Sequence, residues 1–218
     1  MNQLSIVIVN YNSLSFVEDC LDSLYGKKGI PDSWEVIIVD NASKERIKYQ
    51  ISSIKERTKS NIILIENEKN VGFARANNQA IKKSHGKYIL LLNPDTIVSQ
   101  ETFKHLMEFM DDHEKAGVVT PKVLLPMGGI DDASHRGFPT PWRAFCYFSG
   151  ISSLFPKSTF LNGYHLGYQN MDKPHQIEAC VGACMLVRRE VGEQVNWLDE
   201  DYFWYGEDLD FCYRAVQA

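Results

Sequence analysis

Five short stretches of this chain are rich in Ile, Val and Leu with no polar alternation: Ser5 to Val9, Glu35 to Val39, Ile62 to Ile65, Tyr88 to Leu92 and the brief Val118–Val119. A strand wetted on one side alternates polar and apolar residues, whereas a strand buried on both faces cannot. Runs of this kind therefore belong to a parallel sheet covered by helices on both sides. The covering helices are legible between the runs. Leu14, Val17, Leu21 and Leu24 recur at helical spacing behind Ser15-x-x-Glu18, which has the form of a capping box, and Phe73, Ala76, Ala80 and Ile81 recur ahead of Gly86. Phe103, Leu106, Met107 and Met110 make a third stripe, and Leu209, Cys212, Tyr213 and Val216 a fourth. The expected fold is α/β: repeated βαβ units forming a mostly parallel sheet flanked by helices. With 218 residues, 44% of them hydrophobic, the chain can bury one substantial core, so one domain is expected.

From Pro121 to His175 the composition turns to Pro, Gly, Ser and aromatic residues, with Trp142, Phe145, Tyr147, Phe148, Phe155, Phe160 and Tyr164 and little periodicity. The expectation is an irregular, partly mobile region. It reads equally as loops packed by their own rings or as a wall of a substrate cleft, since aromatic faces stack on sugars.

A net charge of −5 and the lack of a long Lys/Arg block argue against nucleic acid as a partner. No stretch has transmembrane length and no cleavable signal is visible, which points to a soluble, cytoplasmic protein, with peripheral attachment at the inner face of the cell membrane left open. The five cysteines are odd in number and scattered, as suits free thiols. Cys180 and Cys184 lie in the small, apolar run Ala179 to Val187 with no matching Cys/His pair at zinc spacing, and read as core thiols.

In an open parallel sheet, ligands sit outside the carboxyl ends of the strands. Asn10-Tyr11-Asn12 follows the first run, Asp40-Asn41 the second, Asn67 and Asn70 the third, and Asn93-Pro94-Asp95 the fourth. Asn and Asp favour turns and helix N-caps in any protein, but turns alone do not gather Asp40 and Asp95 on one edge. A hard divalent cation such as Mg²⁺ or Mn²⁺, shared between a carboxylate and substrate phosphates, would balance them. There is no G-x-G-x-x-G after the first run and no Walker-type loop, which disfavours dehydrogenases and P-loop ATPases. The backbone of Asn70-Val71-Gly72-Phe73 would allow close approach of a ligand at a helix N-terminus. Asp199 to Asp210 concentrates carboxylates and aromatics well beyond the chain average.

Taken in order, Ser5 to Asn12, Val36 to Ser43, Asn70 to Asn78, Leu91 to Thr96 and Tyr205 to Arg214 resemble the successive blocks of family-2 glycosyltransferases of the GT-A fold, particularly bacterial rhamnosyltransferase-like members. The resemblance covers nearly the whole chain. It implies an inverting transfer of a sugar from a nucleotide-diphosphate donor, dTDP-rhamnose or a UDP-sugar, to a saccharide or lipid-linked acceptor in cell-surface polysaccharide synthesis. It makes Asp208 the catalytic base, sets Tyr11 against the nucleobase and Asp40 on the base or ribose, and gives Asp95 the metal. Asn93 stands where the family's first metal-site Asp would be, and as a neutral ligand it weakens the ion's hold. Asn12, Asn41, Asn70, Gly72, Asn78, Asn93 and Glu207 are further candidates for substrate contact. Residues 1–120 are expected to bind the nucleotide sugar, and residues 121–218 to form the acceptor side with the acidic motif. Family members generally continue past this last helix, so the resemblance implies a chain short at its C-terminus, with weak turnover by itself. The rivals are a nucleotidyltransferase, which lacks its Gly-rich loop here, and a nucleotide-sugar-binding module without catalysis.

Overall fold

The computed structural model of the chain describes residues 3–25, 33–45, 47–58, 61–99 and 101–218. Along the chain run β1 (Leu4–Asn10), α1 (Leu14–Tyr25), β2 (Trp34–Asp40), α2 (Lys48–Thr58), β3 (Ile62–Glu66), α3 (Phe73–Ile81), β4 (Tyr88–Leu92), α4 (Thr102–Asp112) and β5 (Val118–Val119). A 3-10 turn (Asp132–Ser134), α5 (Pro141–Phe148), α6 (Ile151–Leu154), β6 (Cys184–Arg188), α7 (Arg189–Gln194) and α8 (Glu207–Gln217) follow. The sheet order is β3-β2-β1-β4-β6-β5, with β3, β2, β1 and β4 parallel to one another and β6 antiparallel to both its neighbours.

Every residue of β1 and of β4 is buried, as an unalternating sequence requires. Leu4, Ile6 and Ile8 face one core with α1, α2 and α4; Val7 and Val9 face a second with α3, Trp197 and α8. The expected mostly parallel α/β sheet flanked by helices is therefore the architecture found.

Several local expectations are corrected. The Ser13 carbonyl accepts the Val17 N–H at 3.1 Å, so α1 starts ahead of the Ser15 box and Ser15 lies exposed in the first turn. The apolar run around Cys184 is a sixth strand, entered from the carboxyl edge of the sheet and hence antiparallel. In α8 the buried face is Glu207, Phe211 and Cys212, while Tyr213 and Val216 face outward. Arg214 fixes that rotation: it forks onto Asp210 (2.6 and 2.8 Å) and donates to the carbonyls of Val195 and Trp197.

The stretch 121–175 is more regular than its composition suggests. Thr140 Oγ1 caps α5 by accepting the Arg143 N–H (3.2 Å), with Pro141 at the first helical position. α5 fully buries one side chain, Cys146, so no inward stripe betrays the helix in the sequence. Arg143 then grips Glu178 with two nitrogens, tying α5 to the segment before β6.

Candidate active site

Because β1 to β4 run parallel, the residues that follow them share one edge, and side chains lace the loops there together. Asn10 Nδ2 donates to Asp40 Oδ1 (2.9 Å) and to Ser43 Oγ (3.0 Å), and Asn10 Oδ1 accepts from the Ser13 hydroxyl (2.8 Å). Ser43 Oγ also accepts the Asn12 N–H (2.9 Å), and Asn12 Oδ1 accepts the Lys44 N–H (2.9 Å). Asp40 is thus buried and oriented, while Tyr11 stands exposed on the turn beside it. An open cleft of about 590 Å³ adjoins this network, lined by Asn12, Leu14, Ser15, Glu18, Ser43, Lys44 and Glu45. That volume falls in the ordinary range for small-ligand sites, roughly 300–1,000 Å³.

Asn41 and Asn78 hold the scaffold. Asn41 Oδ1 accepts from Asn67 Nδ2 (3.1 Å) and the Val71 N–H (3.0 Å), and its Nδ2 donates to Asn70 Oδ1 (2.8 Å) and the Gly72 carbonyl (3.3 Å). Asn70 in turn accepts the Gly72 N–H (2.9 Å), so Asn70 and Gly72 sit in a loop shaped by Asn41. Gly72 has φ +89°, and a Cβ there would meet the Phe203 carbonyl oxygen at 2.9 Å, which is why only glycine suits the position. Asn78 clasps the backbone of Leu198 from both sides (Nδ2 to O 2.8 Å, N–H to Oδ1 3.3 Å) and donates to Glu200 (3.2 Å), which also pairs with Arg75 (2.9 Å). The aromatic-acidic segment is thereby pinned across the start of α3, where the Phe73 N–H donates to the Phe203 carbonyl (3.0 Å).

That segment ends at Gly206, which opens α8 in a left-handed conformation (φ 92°) and puts Glu207, Asp208 and Asp210 in the first turn, where the helix dipole favours negative charge. Asp208 Oδ2 accepts from Arg136 Nη2 at 2.7 Å, with side chains only 13% and 12% exposed, and Oδ1 accepts the Leu209 N–H (2.7 Å). Arg136 is fixed by reciprocal backbone bonds with Ala179 (2.8 and 2.9 Å). Glu207 is 7% exposed and its Oε2 has no hydrogen-bond partner; burial, helped by the charge of Asp208, pushes its carboxyl above the ordinary range.

Beyond β4, the Asn93 N–H donates to the Ala183 carbonyl (2.9 Å), and Asp95 is exposed with no ion pair or hydrogen bond among the described residues. The run 179–183 links the two acidic places. At one end Ala179 pairs with Arg136 and Cys180 meets Cys212 of α8; at the other Ala183 receives Asn93 and Thr96. Four residue steps reach at most roughly 14 Å, so the turn that carries Asp95 and the start of α8 share one rim.

As for a metal, no group of three or more His, Cys, Asp or Glu able to cage an ion exists among the described residues. A lone exposed carboxylate on the edge is nonetheless the donor that Mg²⁺ or Mn²⁺ uses when substrate phosphates and water supply the other ligands. The five thiols are free and buried, Cys180 and Cys184 among them as core residues. Burial pushes Cys20 and Cys184 up to about 12, which leaves them inert as nucleophiles.

Arg136, Ser43 and Glu200 carry much of this geometry; Ser43 and Glu200 fall within stretches the sequence marks, but Arg136 has little signal there. Arg136 lies 72 positions from Asp208 in an aperiodic stretch, and only its isolation as a cation there hints at a partner.

The chain matches the family model for glycosyl transferase family 2 over residues 5–196. It is 28% identical over 219 residues to the low-salt glycan biosynthesis hexosyltransferase Agl10 of Haloferax volcanii, covering 99% of this chain and 62% of that protein. It is 28% identical over 164 residues to the poly(ribitol-phosphate) beta-N-acetylglucosaminyltransferase TarS of Staphylococcus aureus, covering 74% and 25% respectively. Among solved structures, TarS 1–349 in complex with UDP superimposes with a TM-score of 0.67 at 21% identity, covering 98% of this chain and 54% of that one. The mannosyltransferase PcManGT from Pyrobaculum calidifontis, in complex with GDP-Man and Mn²⁺, gives a TM-score of 0.67 at 17% identity, covering 96% and 50%. The chain thus spans less than two thirds of the length of each of these relatives.

Proposed function

The chain belongs to glycosyl transferase family 2, and from that premise we propose that it moves a sugar from a nucleotide-diphosphate donor to a hydroxyl of a saccharide or lipid-linked acceptor, with inversion. The observation that carries this reading is the shared rim. The run 179–183 links the turn bearing Asp95 to the acidic start of α8 at the carboxyl edge of the sheet, the edge on which Asp40 also lies.

In this reading Asp40 and Tyr11 receive the nucleoside, with a uridine or thymidine diphosphate as donor carrier, and Asn12, Asn70, Asn93 and the Gly72 backbone border it. Asp95 would hold the cation, which when bound would offset charge on the diphosphate. Asp208 takes the proton of the acceptor hydroxyl while that oxygen bonds to the anomeric carbon and the carbon–phosphate oxygen bond breaks on the opposite face. Each Asp208 oxygen accepts one bond in the structure and keeps a further lone pair for that hydroxyl. Arg136 is the positioning residue, since it sets the direction of the carboxylate. Glu207, with a buried and unpartnered oxygen, is kept in this reading as a candidate contact for the acceptor or sugar.

A nucleotide-sugar-binding module without catalysis draws support from one feature, the Arg136–Asp208 ion pair, which engages the proposed base. The two readings separate in a single set of measurements: thermal melting with UDP, dTDP and GDP, with and without Mn²⁺, followed by transfer assays on Asp95→Ala and Asp208→Asn. The transferase reading expects a Mn²⁺-dependent rise of roughly 5–10 °C at a hundredfold excess over Kd. That rise should be lost in Asp95→Ala and kept in Asp208→Asn, while Asp208→Asn loses transfer by about a hundredfold or more. A flat melting panel removes the donor site, and unchanged activity in Asp208→Asn removes the base and leaves the binding module.

A further inference from the structure

The hairpin of α5 and α6 presents exposed apolar side chains to which the proposed reaction assigns no role. Trp142, Phe145 and Phe148 stand exposed at three-residue spacing along α5, and Leu154, Phe155 and Phe160 are exposed beyond the Gly150 turn. Phe148 is 84% exposed, Leu154 76% and Phe160 68%. Ring contacts hold part of the patch rigid: Trp142 lies 5.8 Å from Phe145 and 5.0 Å from Phe160 between centroids, and its indole N–H donates to the Phe160 carbonyl (3.1 Å).

Two further properties say what kind of medium could receive it. The backbone N–H groups of Ser149, Gly150, Ser153, Phe155 and Ser158 all donate to carbonyls within the hairpin, so the turn can leave water without stranding them. The charge pattern points the same way. The chain carries 28 acidic residues, yet none occurs between Asp132 and Asp172. Glu178, the carboxylate that meets α5 from elsewhere, is neutralised by Arg143 in a two-pronged pair, which leaves exposed Lys157 beside Phe155. The longest acid-free stretch of a chain of net charge −5 thus carries these exposed rings together with a cation. Protruding rings of this kind need no matching concave pocket when the partner is fluid, and Trp, Phe and Leu beside Lys are the side chains that settle at the headgroup boundary.

We propose that the α5–α6 hairpin docks the protein on a lipid bilayer bearing anionic headgroups, with Phe145, Phe148 and Phe155 entering the acyl boundary and Lys157 meeting the headgroups. This stands on the hairpin alone and does not depend on the transfer reaction.

The test is cosedimentation of the whole chain with phosphatidylcholine vesicles, with and without phosphatidylglycerol, comparing the parent with Phe145→Ser/Phe148→Ser/Phe155→Ser. Thermal melting of both proteins keeps the comparison valid, because the three rings are exposed and their loss should leave the melting temperature in place. The expected result is pelleting with the anionic vesicles, weakened by salt, and partitioning lower by about tenfold or more in the triple variant. Parent protein that stays in the supernatant with both vesicle types overturns the proposal, as does a triple variant that pellets equally well. So does a lipid-free dimer in sedimentation velocity that the triple variant converts to monomer, since the face would then be a protein interface.

Discussion

Asp208 and Glu207 are neighbours in the chain and face different surroundings. Asp208 meets the guanidinium of Arg136, whereas Glu207 is turned inward at the same helix start with one oxygen unpartnered. Burial disfavours the charged form of Glu207 and lifts its carboxyl above the ordinary 4.5. Between that value and the raised folded one, the native state binds more protons than the unfolded chain, so stability falls as pH rises through this window and stays lowered above it. Glu207→Gln removes the penalty. Its melting temperature should exceed that of the parent at neutral pH, with the gap closing as pH drops below about 4.5. A melting series against pH checks this, and a gap that persists at low pH would trace the effect to packing instead. Why Asp208 and Glu207 differ is not legible locally, because the deciding cation, Arg136, comes from a distant and aperiodic stretch.

At the scale of elements, the loop ahead of α8 is positioned by α3. Asn78 is buried in α3 and closes two bonds on the Leu198 backbone and one on Glu200. The sequence block Asn70 to Asn78 suggested substrate contact for this side chain, while its geometry joins it to the protein. Asn78→Ala should therefore strand the Leu198 N–H and carbonyl at a cost of about 2 kcal/mol, lowering the melting temperature by roughly 4–8 °C for a chain of this length. Proteolysis should also quicken within 198–206. An unchanged melting temperature with weakened nucleotide binding would return Asn78 to the ligand. The same lesson applies to α5, whose helix start is written locally as Thr140-Pro141 but whose docking depends on Glu178, far along the chain.

At the scale of the molecule, both cores share one sheet, and that sheet draws strands from both halves of the chain. β6 covers the side of β4 that would otherwise be an open edge, and Phe211 and Cys212 of α8 join the core on the face that carries Ile89 and Leu91. Residues 1–120, the expected nucleotide-binding part, would expose both the edge and that face. Expressed alone, this fragment should melt without a cooperative transition and bind a hydrophobic dye, whereas the whole chain should unfold in one step. A sharp transition in the fragment would make it an independent unit.

The amino-acid sequence by itself determined five of the sheet's six strands, the edge on which polar residues gather, and the family. Those features are local: a strand buried on both faces must be apolar throughout, and the residues just after it are set by chain continuity. The tertiary structure alone decided that the run at Cys184 turns antiparallel, which face of α8 lies inward, that Asn41 and Asn78 brace loops, and that Arg136 meets Asp208. Each of these depends on a partner remote in sequence. Strand direction, helix rotation and ion pairing are chosen by which distant surface is available for packing, and no short pattern of residues encodes that choice.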